Sequence, residues 1–384
     1  MTKPATTIVR RVSAGGEDSY TARRRTAVSL HGHTLHSHER MMFIPRIASA
    51  IPPLKAAIDV AAWLRGSAGM DGVDWSRLYW TPPLAPREAF DLEANQLRAL
   101  GFEPLVSLTD HDDISAPMHL SALRELTGQV PVSVEWTFPF RGTYFHLGIH
   151  NLPAGGAREI WSGLAEATEL GGEPQLLNRL AEIALLDGTL TVLNHPFWDE
   201  KGVGHERHRA SLTALLTAAG PAIDALEWNG FRPPAENRLA MQCAADKDMP
   251  VVAGGDRHGL EPNSCLNLTS AATFAEFAAE VRHGRHSEIL LLPHHFERGA
   301  LRVIHHMWEI LRDDPDHGLG WRRWDERIFF RDKQGVVRPL RAYWGERPPA
   351  LVWTFVKLVH LMGHAPIRHV VRATLSLGQQ ESRP

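Results

Sequence analysis

The sequence has 384 residues, of which 43% are hydrophobic and 22% are charged, and its formal net charge is −3. This composition is typical of a globular protein with a sizeable core. The charge argues against a general nucleic-acid binder, while a local basic patch stays open. Two cysteines are too few for a disulfide scaffold. The N-terminus lacks the apolar core of a signal peptide, and no apolar run reaches the length of a membrane span, so we expect a cytoplasmic protein.

Residues 27–290 alternate short apolar runs with longer segments whose apolar residues recur at helical spacing. Such alternation is typical of repeated βα units. Seven of the runs are strand candidates, and this number favours a barrel over an open sheet. We therefore predict an α/β protein with a TIM-like barrel, preceded by a lead-in over residues 1–26.

Two regions do not follow this pattern. Residues 41–85 form a long insertion after the first strand, rich in Pro, Met and Trp, which we predict to be a lid or a substrate wall. Residues 291–384 form a mildly basic C-terminal extension that we predict to be largely helical. Its apolar stripe indicates a helix that packs on the barrel or on another subunit, so a homo-oligomer stays open. A basic amphipathic helix on a membrane surface is the alternative.

Metal-capable side chains stand at the ends of the predicted strands. The first strand leads into VSLHGHTLHSHE, where His31 and His33 have the spacing that points both side chains to one side of a strand. The carboxyl ends of barrel strands meet at one mouth, so these side chains should converge. A single metal-capable residue at a strand end would indicate a capping or core residue, but seven successive strands with such residues indicate a common site. The residues are His31, His33, Asp110, His111, Glu135, His146, His195, Glu227, Asn229, Asp256 and His258.

Four of these blocks, LHGHTLHSH, LTDHD, LNHP and GGDRHG, resemble in their order the motifs of the PHP family, the polymerase and histidinol phosphatase domain. The resemblance covers roughly residues 27–290. It implies a distorted (β/α)7 barrel and a cluster of up to about three divalent metal ions. The ligands that it implies are His31, His33, His38, His111, Glu135, His146, His195, Asp256 and His258.

Three features depart from the family pattern. His38 stands where many members have aspartate; an imidazole can still bind a metal, and it favours softer ions such as Zn or Fe. Arg257 replaces a small residue within GGDRHG and is a candidate for reaching into the pocket. The gap between His38 and Asp110 is longer than the family leads us to expect, so the substrate is the property that transfers least. His36 receives no role from the resemblance.

The mixture of imidazole and carboxylate ligands suits Zn, Mn or Fe better than Mg or Ca. Glu135, the carboxylate that the family uses as a bridge, would join two ions, which would lower the pKa of a bridging water and clamp phosphoryl oxygens. We predict catalytic roles for Glu135, for Arg257, and for Asp110 as the partner that orients a ligating histidine. Substrate binding is predicted for Arg257, Arg232, Arg40 and Asn229.

The sequence thus predicts a metal-dependent phosphoesterase that hydrolyses a small phosphorylated substrate, either a phosphomonoester or a short nucleotide. An exonuclease or phosphodiesterase of the same family stays open, because Trp63, Trp75 and Trp80 could stack on bases, although the acidic barrel portion argues against it. An amidohydrolase-type metallohydrolase also begins with HxH, but the pair of Asp256 and His258 favours the PHP resemblance. A metal-holding scaffold without catalysis is the third alternative.

Overall fold

The computed structural model describes residues 3–12, 24–42, 74–297 and 299–363. The chain divides into two units. The first unit comprises Met1–Ser37 and Leu84–Phe296, and the second comprises His38–Pro83 and Glu297–Pro384. The domain boundaries drawn from the sequence stay predictions.

The regular elements are numbered in chain order. The strands are β1 (Thr6–Arg11), β2 (Thr26–Gly32), β3 (Glu39–Arg40), β4 (Leu78–Trp80), β5 (Glu103–Leu108), β6 (Val132–Phe140), β7 (Thr143–Leu152), β8 (Leu190–Asn194), β9 (Ala225–Asn229), β10 (Val251–Gly254), β11 (Cys265–Thr269), β12 (His286–Leu291), β13 (Ile328–Arg331) and β14 (Val337–Pro339). The helices are α1 (Pro86–Ala99), α2 (Ser115–Ser121), α3 (Ala157–Leu170), α4 (Glu173–Ala184), α5 (His205–Ala219), α6 (Pro234–Asp246), α7 (Phe274–Arg282), α8 (Gly299–Leu311), α9 (Arg341–Trp344) and α10 (Ala350–Gly363). Short 3₁₀ helices occupy Trp75–Arg77, Arg124–Leu126, Gly220–Ala222, Pro293–Phe296 and Trp324–Glu326.

The first unit contains two five-stranded sheets. One has the order β1-β12-β11-β2-β5, and the other has the order β10-β9-β8-β7-β6. Isolated bridges between Gly32 and Arg257 and between His111 and Glu135 link the two sheets. Over the residues that the structure describes, the strands do not close into one barrel. The α/β class is therefore confirmed, and the predicted closed barrel is not.

Two local features interrupt the predicted βα repeat. Strands β6 and β7 form an antiparallel hairpin without a helix between them, and β8 is antiparallel to β7. In the other sheet, the pairing of β2 with β5 shifts register between Leu30 and Gly32. Such an irregularity bends a strand and ends its regular pairing. Each sheet therefore departs from a regular parallel βα arrangement at one of these places.

Helices flank the sheets of the first unit, and the apolar core lies between the two layers. Helix α1 illustrates how the sequence sets this up. Pro86 stands at its first position, and the Glu88 carboxylate accepts a hydrogen bond from the Ala85 backbone N–H at 2.9 Å, so the helix start is well defined. The largest apolar cluster gathers around β6 and β7, where Trp136 and Phe138 are fully buried.

The second unit has a four-stranded sheet of order β14-β13-β4-β3 and an apolar cluster of its own. The described part of the C-terminal extension contains helices α8, α9 and α10, but also strands β13 and β14, which the prediction of a largely helical extension did not include. Most of the predicted lid, residues 43–73, and the chain from residue 364 onward lie outside the described residues. In the ranges that are described, no helix is long and apolar enough to cross a bilayer.

Candidate metal centre

Three of the predicted ligands stand on an unusual backbone conformation. His31 lies near the end of β2 with φ of 62°, His195 follows β8 with φ of 28°, and Asp256 follows β10 with φ of 53°. Residues other than glycine rarely adopt positive φ, and the surrounding structure must enforce it where they do. Strained positions of this kind cluster at functional sites, so the three strand ends are candidate site positions on backbone grounds as well.

Glu135, on β6, lies at the centre of the cluster and is fully buried. Its Oε2 lies 3.1 Å from His31 Nε2 and 3.2 Å from His111 Nε2. Its Oε1 lies 3.1 Å from His195 Nε2 and 3.3 Å from His146 Nδ1. Each carboxylate oxygen therefore faces a different pair of imidazoles. A carboxylate that bridges two cations needs this division of its oxygens.

Asp256 lies on the other side of His31 in the same cluster. Its Oδ1 is 3.6 Å from Nε2 of both His31 and His33, and 3.5 Å from His258 Nδ1. The ring of His33 stacks on those of His111 and His258, with centroid distances of 4.9 and 4.3 Å. Together with the residues around Glu135, these side chains bring eight of the nine predicted ligands into one cluster.

Four sets of donors within this cluster lie close enough to hold a cation, because the ligand atoms of each set are within 4.8 Å of one another. The sets are His31, His33 and Asp256; His31, Glu135 and His195; His111, Glu135 and His146; and the imidazoles of His33, His111 and His258. Mixed nitrogen and oxygen donors of this kind suit Zn, Mn or Fe. Adjacent sets share a residue, as a cluster of neighbouring ions requires.

Two buried carboxylates contact predicted ligands: Glu227, which the sequence predicts only as one of the strand-end residues, and Glu200, which it does not predict. Glu227 on β9 lies 2.5 Å from His31 Nδ1 and accepts a hydrogen bond from the His195 backbone N–H at 2.7 Å. Glu200, in the loop after β8, lies 2.9 Å from His146 Nε2. Carboxylates in this position fix the orientation and tautomer of a ligating histidine. Glu227 had a sequence signal, because it stands in the strand LEWN, whereas Glu200 follows NHP in a loop without any periodicity.

Asp110 and Asn229 organise the backbone and the carboxylates around the cluster. Asp110 accepts hydrogen bonds from the Thr34 backbone N–H at 2.5 Å and from the Thr34 hydroxyl at 2.7 Å, which fixes the chain in the middle of the block LHGHTLHSH. Asn229 Nδ2 donates to Glu227 Oε2 at 2.8 Å and to Asp256 Oδ2 at 3.1 Å. The Asn229 amide thus links two carboxylates, and the substrate contact predicted for it stays a prediction.

Arg257 is buried, and each of its guanidinium nitrogens has a protein partner. Its Nε pairs with Glu93, its Nη1 donates to the Gly259 carbonyl at 2.9 Å, and its Nη2 donates to the His33 carbonyl at 2.9 Å. These contacts join α1, β2 and the GGDRHG loop. They indicate a structural role, and the catalytic and substrate-binding roles of Arg257 stay predictions.

Arg232 stands at the edge of the cluster. Its guanidinium carbon lies 3.9 Å from the centre of the Trp198 ring, and its Nη2 lies 3.5 Å from Asp256 Oδ2. Its Nε is buried and has no hydrogen-bond partner. Arg232 therefore retains donor capacity next to the predicted ligands, which is what binding of an anionic group requires.

His38 and Arg40 belong to the second unit. The His38 ring packs 4.7 Å from the ring of Tyr79, and Arg40 pairs with Tyr79 in the β3–β4 ladder. The ligand role of His38 and the substrate role of Arg40 stay predictions.

The electrostatics of the cluster favour a bound cation. Burial alone would raise the pKa of Glu135, but His111 and His31 hold it well below its ordinary value. Burial alone would lower the pKa of His31, but the carboxylates of Glu135 and Glu227 raise it well above its ordinary value. These histidines therefore keep the Glu135 carboxylate ionised inside the cluster. His146 Nδ1, buried and without a hydrogen-bond partner, also fits a cation, so these residues fit divalent metal ions.

No family model matches the sequence, and no curated protein is significantly similar to it. Among solved structures, a Bifidobacterium adolescentis protein assigned to the metal-dependent phosphoesterases shares 17% identity over 52% of this chain and 91% of its own, with a TM-score of 0.30. PsfC from Pseudomonas syringae shares 15% identity over 73% of this chain and 97% of its own, with a TM-score of 0.38. An amidohydrolase from Chromobacterium violaceum, with bound sulfate and no metal, shares 13% identity over 46% of this chain and 84% of its own, with a TM-score of 0.30. Scores this low carry no argument about this chain.

Proposed function

We propose that this protein is a metal-dependent phosphoesterase that hydrolyses a small phosphorylated substrate in the cytoplasm, using roughly two or three Zn, Mn or Fe ions. The observation that carries the proposal is Glu135, whose two oxygens face separate pairs of imidazoles at 3.1 to 3.3 Å. The proposed ligands are His31, His33, His38, His111, Glu135, His146, His195, Asp256 and His258.

When bound, divalent ions supply positive charge to a phosphoryl group and lower the pKa of water, so that hydroxide is available near neutral pH. The chain contributes the geometry. Glu227 holds Nδ1 of His31, so that Nε2 of the same ring faces Glu135 and Asp256. Burial of these groups keeps bulk water from competing for them, which strengthens each electrostatic contact.

Arg232 is the residue proposed to bind the phosphoryl oxygens. Its guanidinium carbon lies 3.9 Å from the centre of the Trp198 ring, and this contact limits the positions that the guanidinium can adopt. A guanidinium with free donors can bind two phosphate oxygens at once. Its closeness to Asp256 places this charge beside the proposed ions, where a substrate phosphate would be bound.

A small substrate is favoured over a nucleic acid. Trp80 is 1% exposed in the apolar cluster of the second unit, so its ring is not available as a stacking surface for bases. Trp75 packs against the same cluster, and Trp63 lies outside the described residues. The amidohydrolase alternative is less favoured because the late aspartate, Asp256, is paired with a histidine, His258, at 3.5 Å.

The test combines metal analysis with an activity assay. Protein purified without chelators is analysed by mass spectrometry for metals, and hydrolysis of p-nitrophenyl phosphate is followed for wild type and His33→Ala. The exposed His205→Ala serves as the matched control. We expect about two to three Zn, Mn or Fe per chain, and a roughly 100-fold or larger loss of turnover in His33→Ala alone, because a bound ion lowers the barrier by several kcal/mol.

Two results would contradict the proposal in different ways. Stoichiometric metal without turnover of any phosphate ester would indicate an amide substrate or a non-catalytic metal site. Protein that stays metal-free and inactive after incubation with Zn, Mn and Fe would remove the basis for all nine ligands.

A further inference from the structure

The loop between β8 and α5 is closed by hydrogen bonds of its own. The Trp198 backbone N–H donates to the His195 carbonyl at 2.8 Å, forming a turn directly after the strand. The Asp199 carboxylate accepts from the backbone N–H groups of Val203 at 3.0 Å and of Gly204 at 2.8 Å. These bonds give the loop a defined shape before any ligand is considered.

The same loop is also fastened to the elements on either side. His208 of α5 contacts the Pro196 carbonyl through Nε2 at 2.9 Å and the Thr143 hydroxyl through Nδ1 at 3.1 Å. Thr143 begins β7, the strand that carries His146. Buried contacts through His208 and Thr143 therefore hold the loop next to the strand of His146. The backbone position of Glu200, which lies in this loop, is fixed in the same way.

The Glu200 side chain is 8% exposed and contacts the ring of His146. Its Oε2 lies 2.9 Å from His146 Nε2, while His146 Nδ1 lies 3.3 Å from Glu135 Oε1. The two nitrogens of one ring thus face two different carboxylates. Nδ1 is buried without a hydrogen-bond partner, whereas Nε2 has Glu200 at hydrogen-bond distance.

We propose that Glu200 is a positioning residue that holds the proton of His146 on Nε2 and thereby presents Nδ1 as the metal ligand between His111 and Glu135. An imidazole that accepts a metal on one nitrogen must carry its proton on the other, and a carboxylate is the strongest neutral-pH acceptor for that proton. This inference rests on the proposed function, because it needs a metal at the cluster.

The geometry also explains why an ordinary ion pair is the weaker interpretation. A salt bridge on the surface would leave both partners solvated and would contribute little. Here both partners are buried, and His146 lies in a donor set with His111 and Glu135. Removing the carboxylate should therefore change which nitrogen carries the proton, and not only the strength of one contact.

The experiment measures Zn affinity and the protonation of the ring separately. Zn binding to chelator-treated protein is titrated against a competing chromophoric chelator for wild type, Glu200→Ala and Glu200→Gln. The exposed Glu206→Gln, on the first turn of α5, is the control for loss of one acidic charge nearby. The ring is observed by two-bond ¹H–¹⁵N correlation spectra at alkaline pH, with the His146 signals identified by their absence in His146→Gln.

We expect Glu200→Ala to weaken binding of one Zn equivalent by about 10- to 100-fold, as loss of an orienting partner usually does. Glu200→Gln, which keeps a neutral acceptor, should lie between wild type and Glu200→Ala, and Glu206→Gln should match wild type. In the spectra, the Nε2–H form should dominate in wild type and give way to a mixture in Glu200→Ala. Circular dichroism of the metal-free variants separates these effects from misfolding.

Unchanged Zn affinity or an unchanged tautomer in folded Glu200→Ala would overturn the role of Glu200. Wild-type protein that takes up no Zn would overturn both this inference and the proposed function. Zn uptake with the expected variant effects, but without hydrolysis of any phosphate ester, would contradict the proposed function and leave the role of Glu200 supported, because neither readout depends on activity.

Discussion

His150, on β7, is a histidine whose burial keeps it uncharged. Its side chain is 1% exposed, and its Nδ1 lies 2.8 Å from the Ser107 hydroxyl. Burial, with a further contribution from His31, lowers the pKa of His150 from 6.5 to about 3. The folded protein therefore leaves this ring neutral throughout the range in which an exposed histidine gains a proton.

This shift makes the stability of the protein depend on pH with a definite sign. Below about pH 6.5 the unfolded chain binds a proton at His150 and the folded chain does not, so stability falls as the pH falls from 6.5 toward 3. At about pH 5 this one group lowers the free energy of unfolding by about 2 kcal/mol.

Urea unfolding of chelator-treated His150→Gln should therefore show a weaker loss of stability between about pH 7 and 5 than wild type. His205→Gln, exposed, should follow wild type, and an identical pH dependence in His150→Gln would show that the folded ring titrates normally.

At this scale, the sequence predicted residues whose position follows from the strand they end. Alternation along a strand fixes the side to which a side chain points, and so His31, His33 and Glu135 could be expected to converge. Glu200 and Arg257 depend on loops, where the direction of a side chain is set by contacts distant in sequence. Arg257 stands inside the GGDRHG block and turns to Glu93, a residue of α1 that no local pattern connects to it.

Strand β10 depends on a glycine at its end. A Cβ placed on Gly254 would lie 1.7 Å from Glu227 Oε1 and 2.7 Å from its Cδ. Glu227 cannot move without cost, because it contacts His31 Nδ1 and the His195 backbone. Because Gly254 has no side chain, the Glu227 carboxylate can pass close to the backbone of β10 and reach His31.

We expect Gly254→Ala to displace Glu227 and to lower the free energy of unfolding by about 1–3 kcal/mol, the usual cost of overpacking a core. The same change should weaken Zn binding, because the partner of His31 moves. Gly163→Ala on helix α3 is the matched control: its Cβ would meet only the end of the Arg179 side chain at 3.1 Å, and alanine favours a helix interior. Thermal unfolding and Zn titration of the two variants check this. Equal stability and equal Zn affinity in the two would mean that β10 has room that the structure does not show.

At the scale of elements, the alternation of strands and helices was predictable and the β6–β7 hairpin was not predicted. A local signal for it existed. Arg141 and Gly142 form the two-residue turn, with φ of 45° and 82°, between the apolar runs FPF and TYF. Positive φ at both turn residues is the signature of a tight hairpin. Each run is apolar enough to be a buried strand of its own, so the apolar pattern alone does not distinguish a hairpin from two strands of a βα repeat.

For the whole molecule, composition and repeat pattern predict an α/β protein, but not how distant segments combine. The second unit joins the two regions that broke the βα pattern, with β4 from the insertion paired to β13 from the extension. This pairing spans about 250 residues of sequence, and no periodicity reports it. Each of these segments alone is too short to bury an apolar face, so neither has a sequence pattern that predicts a sheet.

Arg327, just before β13, is the buried charge on which the second unit depends. It is 1% exposed, and burial lowers its pKa to about 10, while Asp314 counteracts this shift. Its Nη2 donates to the backbone carbonyls of Glu309 and Arg312 at 2.9 Å each, and to that of Ile310 at 3.2 Å. These carbonyls lie at the C-terminal end of α8, where a helix leaves acceptors without partners and where positive charge is favourable.

We therefore expect Arg327→Met to destabilise the second unit by about 2–4 kcal/mol, because a thioether donates no hydrogen bond and leaves the buried carbonyls that Nη2 contacts unsatisfied. Since the first unit has a separate apolar core, the loss should be local. Hydrogen exchange measured by mass spectrometry should show faster exchange in α8 and β13 and unchanged exchange in β6 and β7. The matched control Arg331→Met, at an exposed position of β13, should leave both regions unchanged. Equal acceleration in both units would instead show that the two cores unfold as one cooperative whole, and unchanged exchange in α8 would show that Arg327 does not hold its end.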